Sequence, residues 1–194
     1  MVTDPSSPGG APGPPIVTVG HGTLPAAELS ALLRDAGVTD LVDVRSFPGS
    51  RRNPHFGREE MERWTPRAGV RYRWARDLGG RRRQVAGSKH VALRHASFRA
   101  YADHMETPAF LEAVDDLIER AQAGRTAVMC SESVWWRCHR RLLADHLVLV
   151  RGLPVLHLMH DGRLTRHTPT EGVRLDGDQV TYDVGVTAPL PVEP

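Results

Sequence analysis

The apolar positions of this chain switch between two periods. Residues 16–19, Ile-Val-Thr-Val, form a short apolar run that ends at Gly20–His21–Gly22. Leu29, Leu32, Leu33 and Ala36 then recur at helical spacing, with Thr23 placed to cap the helix, Pro25 tolerated near its start and Gly37 ending it. A second apolar run over residues 38–44 leads into Asp43–Val44–Arg45. Residues 46–83 break the pattern with Pro48, Pro54, Pro66 and several glycines, leaving a local helix near 58–65 and a short strand at 70–74. Periodicity resumes at Thr107–Pro108, a capping residue before a proline at the first helical position. Phe110, Leu111, Val114, Leu117, Ile118 and Ala121 follow, and Gly124 stops the helix. The strand 126–129 delivers Cys130; Leu142, Leu143, His146, Leu147 and Val150 mark another helix, and residues 155–158 a further strand.

Strand and helix alternate, which predicts an α/β domain. Its sheet is mostly parallel with helices on both faces, a Rossmann-like three-layer arrangement. Residues 172–182, with Asp176–Gly177 between two strand-like runs, predict a C-terminal β-hairpin appended to that sheet. The expected organisation is a disordered Pro/Gly/Ser leader over 1–15, the α/β domain over 16–165, and a hairpin and tail over 166–194.

Composition narrows this only slightly. A chain of 194 residues with 40% hydrophobic content supports one core. No apolar run reaches membrane-spanning length and the start lacks an export pattern, so a soluble cytoplasmic protein is expected. Its two cysteines are then expected as free thiols or ligands rather than a disulfide. The net charge of +2 conceals an asymmetry: between Arg45 and Arg99 fifteen Lys or Arg face four acids, leaving that stretch at +11 and the remainder at −9. A local excess of this kind favours an anionic partner, a phosphate-bearing small molecule, nucleotide or nucleic acid. The plainer alternative is an arginine-rich chain with solvated surface charges.

Three apolar runs end in reactive side chains: His21 after the first, Asp43 and Arg45 after the second, Cys130 and Glu132 after the fourth strand. Ligands of open parallel sheets bind beyond the carboxyl ends of the strands, so these groups are expected to share one pocket. Cys130, at a strand end before a helix, suits a nucleophile with a depressed pKa, with Glu132 or His21 as acid or base. Asp43 is a candidate catalytic acid, or a brace for Arg45 or for the His21 tautomer. Arg45, Ser50, Arg51 and Arg140 are candidate anion ligands, with Cys138 and His139 beside them. No cofactor is expected; a metal held by Cys130, Cys138, His139 and a distant histidine is an alternative that no paired ligand spacing supports. Trp135, Trp136, Tyr72 and Trp74 are expected in the core, with a base-stacking surface as the alternative.

Gly20–His21–Gly22, Asp43–Val44–Arg45–Ser46–Phe47–Pro48–Gly49–Ser50–Arg51, Asn53–Pro54–His55–Phe56, Leu78–Gly79–Gly80, and Cys130–Ser131–Glu132 with Cys138–His139–Arg140 resemble the ordered motifs of the bacterial domain-of-unknown-function family 488. The resemblance spans residues 16–164. It implies an α/β domain with a pocket of His, Asp, Arg, Cys and Glu and leaves the substrate open. Gly22 and Ser131 depart from the usual Ser and Ala of those motifs. Two functions remain: an enzyme acting on a phosphate-bearing small molecule or nucleotide, or a nucleic-acid-binding module built on residues 45–99 with a structural or metal-binding cysteine cluster. Oligomeric state is not legible in the sequence.

Overall fold

A computed structural model describes residues 13–49 and 53–185. Most of the expected leader, and Ser50, Arg51 and Arg52, lie outside the described residues. A six-stranded sheet runs in the order β3-β2-β4-β1-β5-β6. It comprises β1 (Ile16–Gly20), β2 (Asp40–Asp43), β3 (Arg71–Trp74), β4 (Thr126–Cys130), β5 (Val155–Leu158) and β6 (Leu164–Arg166). All neighbours pair in parallel except β5 with β6.

The strands that are apolar throughout are those buried on both faces, and alternation divides their side chains between two cores. Leu41, Val17, Val19, Ala127 and Met129 face α1 (Ala26–Asp35) and α2 (Arg58–Trp64), which supply Leu29, Leu33 and Met61. Val42, Val44, Val128 and Cys130 face α3 (Ala96–His104), α4 (Pro108–Ala123) and α5 (Arg140–Leu149). The domain is therefore a three-layer α/β fold. Helix α4 begins as its sequence predicts: Thr107 Oγ1 accepts from the Phe110 amide at 3.4 Å, with Pro108 following. Helix α1 does not; Pro25 occupies the capping position and Thr23 makes no cap. Helix α3 was not predicted, because its buried face is built mainly from small residues, Ala100 and Ala102 around Tyr101.

The C-terminal hairpin, β7 (Val173–Asp176) and β8 (Gln179–Tyr182), forms its own two-stranded sheet and is not appended to the large one, contrary to expectation. Its anchor is polar. Buried Asp145 of α5 accepts from Tyr182 Oη at 2.9 Å, from His167 Nε2 at 2.8 Å and from the Thr170 amide at 2.9 Å. The chain of bonds continues from His157 Nε2 to His167 Nδ1 at 2.9 Å and from Thr18 Oγ1 to His157 Nδ1 at 2.7 Å. An ionised Asp145 can only accept, so His167 donates to it from Nε2. The hairpin pairs with no strand of the large sheet; this side-chain chain and the packing of Val180 and Tyr182 into the core hold it.

Burial, reinforced by His167 and Arg140, lowers the His157 pKa to about 3; burial, reinforced by Arg151, lowers that of His146 to about 4. Both rings fold neutral, whereas in the unfolded chain they protonate near 6.5. Stability is thus complete above pH 6.5 and declines as pH falls toward 4, by up to about 1.4 kcal/mol per pH unit for each ring. Urea titrations across pH 7 to 4 will show this slope. Thr107→Ala will cost about 1 kcal/mol in the same assay at pH 7 through loss of the α4 cap.

Candidate active site

The crossover from β1 leads across β4 to β2, and the one from β4 leads across β1 to β5, so adjacent strands send their chains in opposite directions. A crevice opens at such a switch point. The β1–β4 ladder aligns Gly20 with Cys130 and continues beyond the strands, His21 N donating to Cys130 O at 3.0 Å and Gly22 N to Ser131 O at 3.1 Å. A side chain at position 20 would run into the Glu132 carbonyl, and Gly22 has φ 54°, which together restrict the flanks of His21 to glycine.

The resulting cavity, of about 680 Å³, is lined by His21, Arg45, Cys130, Glu132, Cys138 and His139 among the expected residues. It also brings in Ser46, Phe47, Arg81, Phe98 and Arg137. Asp43 and Arg140 stand behind the walls. Ser50 and Arg51 fall outside the described residues.

Strand β2 ends at Asp43, so Asp43 and Arg45 escape the alternation that would have put them on opposite faces. Arg45 Nε donates to Asp43 Oδ1 at 2.8 Å and Nη2 to Oδ2 at 2.5 Å. Nη2 also donates to Phe56 O at 2.8 Å. Asp43 is fully buried and takes a further bond from Tyr72 Oη at 2.7 Å. These bonds make Asp43 a brace for Arg45, the second of the two roles its position allowed. Arg45 Nη1 reaches His21 Nε2 at 3.3 Å, while His21 Nδ1 donates to Gly22 O at 2.9 Å. That tautomer leaves Nε2 as the acceptor. Burial and then Arg45 lower the His21 pKa to about 4, and its ring stacks on Phe56 at 4.1 Å. His21 is therefore a neutral positioning group at physiological pH, with its one free lone pair occupied by Arg45. One N–H of Arg45 remains for the pocket among the described residues.

At the opposite wall Cys130 Sγ lies 2.7 Å from Cys138 Sγ, and His139 Nδ1 lies 3.5 Å from the latter. Arg140 is buried directly behind the thiols and donates from Nη2 to the Glu132 carbonyl. Burial alone raises both thiols. At Cys138 the S–H of Cys130, His139 and Arg140 reverse this and carry its pKa well below the usual thiol range, while Cys130 stays protonated with its pKa well above it. The two shifts oppose each other, so the pair favours one thiol and one thiolate, and Cys138 is the sulfur that also meets His139. The Glu132 carboxylate is exposed on the rim, where its Oε1 accepts from the Val134 amide at 3.4 Å.

Apart from Phe98 of α3, the parts that sequence reasoning underweighted come from loops and turns. Arg81 enters because its amide donates to Ser46 Oγ at 2.8 Å, and Gly80 packs so closely on the His139 ring that no Cβ fits between them. Leu78–Gly79–Gly80 was the available signal, since paired glycines mark close backbone approach. Trp135 stacks on His157 at 3.9 Å, placing its ring inward, whereas Trp136 is half exposed. Tyr72 and Trp74 are engaged through Asp43 and the Arg45 carbonyl. Among the described residues no group of three or more His, Cys, Asp or Glu side chains is arranged to hold a metal. No described helix is long and apolar enough to cross a membrane.

No curated protein and no solved structure matches the chain. The family described as Domain of unknown function DUF488 matches residues 25–147. That span contains Asp43, Arg45, Cys130, Glu132, Cys138, His139 and Arg140; His21 precedes it by a few residues. With more than half its length matched, the chain belongs to the DUF488 family.

Proposed function

We infer that the pocket is the active site of an enzyme that attacks a small phosphate-bearing molecule, such as a nucleotide, with a cysteine thiolate. The observation that carries this reading is the pair of sulfurs 2.7 Å apart on the wall of a cavity lined by Arg45, Arg81 and Arg137. A thiolate is the nucleophilic form of cysteine, and a partner thiol together with a buried guanidinium keeps it ionised at neutral pH. Cys138 is the nucleophile, and Cys130, which sequence reasoning favoured, holds its charge in place. The arginines bind the phosphate; Phe47 and Phe98 at the rim offer flat faces to a base. Among the described residues Glu132 is the one lining carboxylate, and it serves the leaving group as proton donor or acceptor.

The nucleic-acid reading has less support because much of the 45–99 charge is used internally. Arg58 pairs with Glu62, Arg63 with Glu60, Arg71 with Asp40, Arg73 with Asp116, Lys89 with Glu106 and Arg45 with Asp43.

A panel of nucleotides and sugar phosphates, screened for turnover and for thermal stabilisation, tests the inference. Cys138→Ser is expected to reduce turnover roughly a thousandfold or more with the melting temperature retained. Arg81→Ala and Arg137→Ala are each expected to raise the half-saturating concentration about tenfold, the effect of one charge-assisted hydrogen bond. Conversion that survives in both Cys130→Ser and Cys138→Ser sinks the thiolate role. Tight binding of single-stranded oligonucleotides, unaffected by the cysteine variants and lost on charge reversal at Arg81, Arg82 and Arg83, decides for the binding module instead.

A further inference from the structure

Several features of the molecule converge on the segment between the two cysteines. Cys130 closes β4 and Cys138 sits two residues before α5, with an irregular loop containing one 3-10 turn, Trp135–Arg137, between them. Both ends of that loop are pinned. Arg140 holds the Glu132 carbonyl, and that carbonyl packs against Gly20. Trp135 lies flat on His157, at an interplanar angle of 8°, and His157 is fixed through His167 to Asp145 and Tyr182. The buried polar chain thus has a use outside the hairpin: it holds the turn that presents Cys138 to Cys130. The two sulfurs, 2.7 Å apart, need move by only about 0.7 Å to reach bonding distance, and both line the cavity.

We propose that Cys130 and Cys138 form a redox pair that a small hydroperoxide oxidises to an intramolecular disulfide, and that small thiols restore. The Cys138 thiolate attacks one peroxide oxygen, forming an S–O bond as the O–O bond breaks. The sulfur supplies the electron pair, and the departing hydroxide takes a proton from Cys130 to leave as water. Cys130, now a thiolate, attacks the Cys138 sulfur; the S–S bond forms, the S–O bond breaks, and the second hydroxide is protonated from solvent. The thiol–thiolate pair loses two electrons and one proton, solvent supplies the second proton, and hydrogen peroxide is reduced to two waters; from an organic hydroperoxide the first leaving group is an alkoxide, which departs as the alcohol. With both sulfurs buried, size sets access in both directions: a small oxidant reaches the pair, and a small thiol reaches it for the return step. Arg140 and His139 favour the thiolate that begins the sequence. Closing the pair also removes the nucleophile from the pocket; that consequence rests on the function inferred above, whereas the disulfide itself does not.

The full chain contains only these two cysteines, so thiol counting is unambiguous. Reduced protein, freed of reductant and treated with one equivalent of hydrogen peroxide, is expected to lose both thiols and two hydrogens of intact mass. It should remain monomeric on a non-reducing gel and recover on addition of dithiothreitol. In Cys130→Ser, dimedone is expected to trap a sulfenic acid at Cys138 at least about tenfold faster than at Cys130 in Cys138→Ser. Survival of both thiols in the folded wild-type chain overturns the proposal, as does an intermolecular disulfide or equal trapping in the two variants. None of these readings uses substrate turnover, so failure here and failure of the enzymatic reading are separate results.

Discussion

The pairing of β1 with β4 is the interaction on which the site depends. These strands are separated by more than a hundred residues, and their parallel register sets Gly20 beside Cys130. Two amide bonds beyond the strand ends then carry His21 and Gly22 along the loop that leaves β4. Strand β2 is drawn to the other side of β4, with Val44 N donating to Met129 O at 2.9 Å, and Arg45 arrives at the same edge. Because the two crossovers diverge, a cavity opens above these three ends. A one-residue slip in the ladder would turn the Cys130 side chain away from α5 and separate it from Cys138.

Two buried guanidinium groups divide the electrostatic work. Arg45 is neutralised by Asp43, which is bonded by Tyr72 as well, so its charge is compensated within the fold and its position is fixed. Arg140 has no carboxylate partner among the described residues. Its neighbours are the two sulfurs, which raise its pKa against the opposing effect of burial. A buried cation without a carboxylate favours ionisation of whatever acid lies beside it. Here that acid is a thiol, which explains how a cysteine pair shielded from water can carry one negative charge.

The basic middle of the chain illustrates the distance between charge in sequence and charge in space. Fifteen cations over fifty-five residues suggested a broad anionic partner. In the fold, Arg71 and Arg73 meet acids from the β2 and α4 regions that lie far away in the chain, and Arg99 turns inward to the Leu93 carbonyl. What faces the cavity is a smaller set, Arg45, Arg81 and Arg137, on a scale suited to a small anion.

Periodicity alone was sufficient for the three-layer architecture, because strands buried on both faces need continuous apolar runs and surface helices need one apolar stripe. It also identified the strand ends that carry His21, Asp43, Arg45 and Cys130, since polar groups that interrupt such runs have few other places to go. The pattern was silent on helix α3, whose buried face of small residues lacks contrast, and on the separate hairpin sheet, whose attachment includes a chain of side-chain bonds from Thr18 to Tyr182. Role assignment within the pocket required coordinates. Whether Asp43 acts or braces depends on where β2 stops, and the two thiols differ because His139 is folded against Cys138 while Arg140 lies beside both. Such distinctions arise from contacts between residues distant in the chain, which local composition and spacing do not encode.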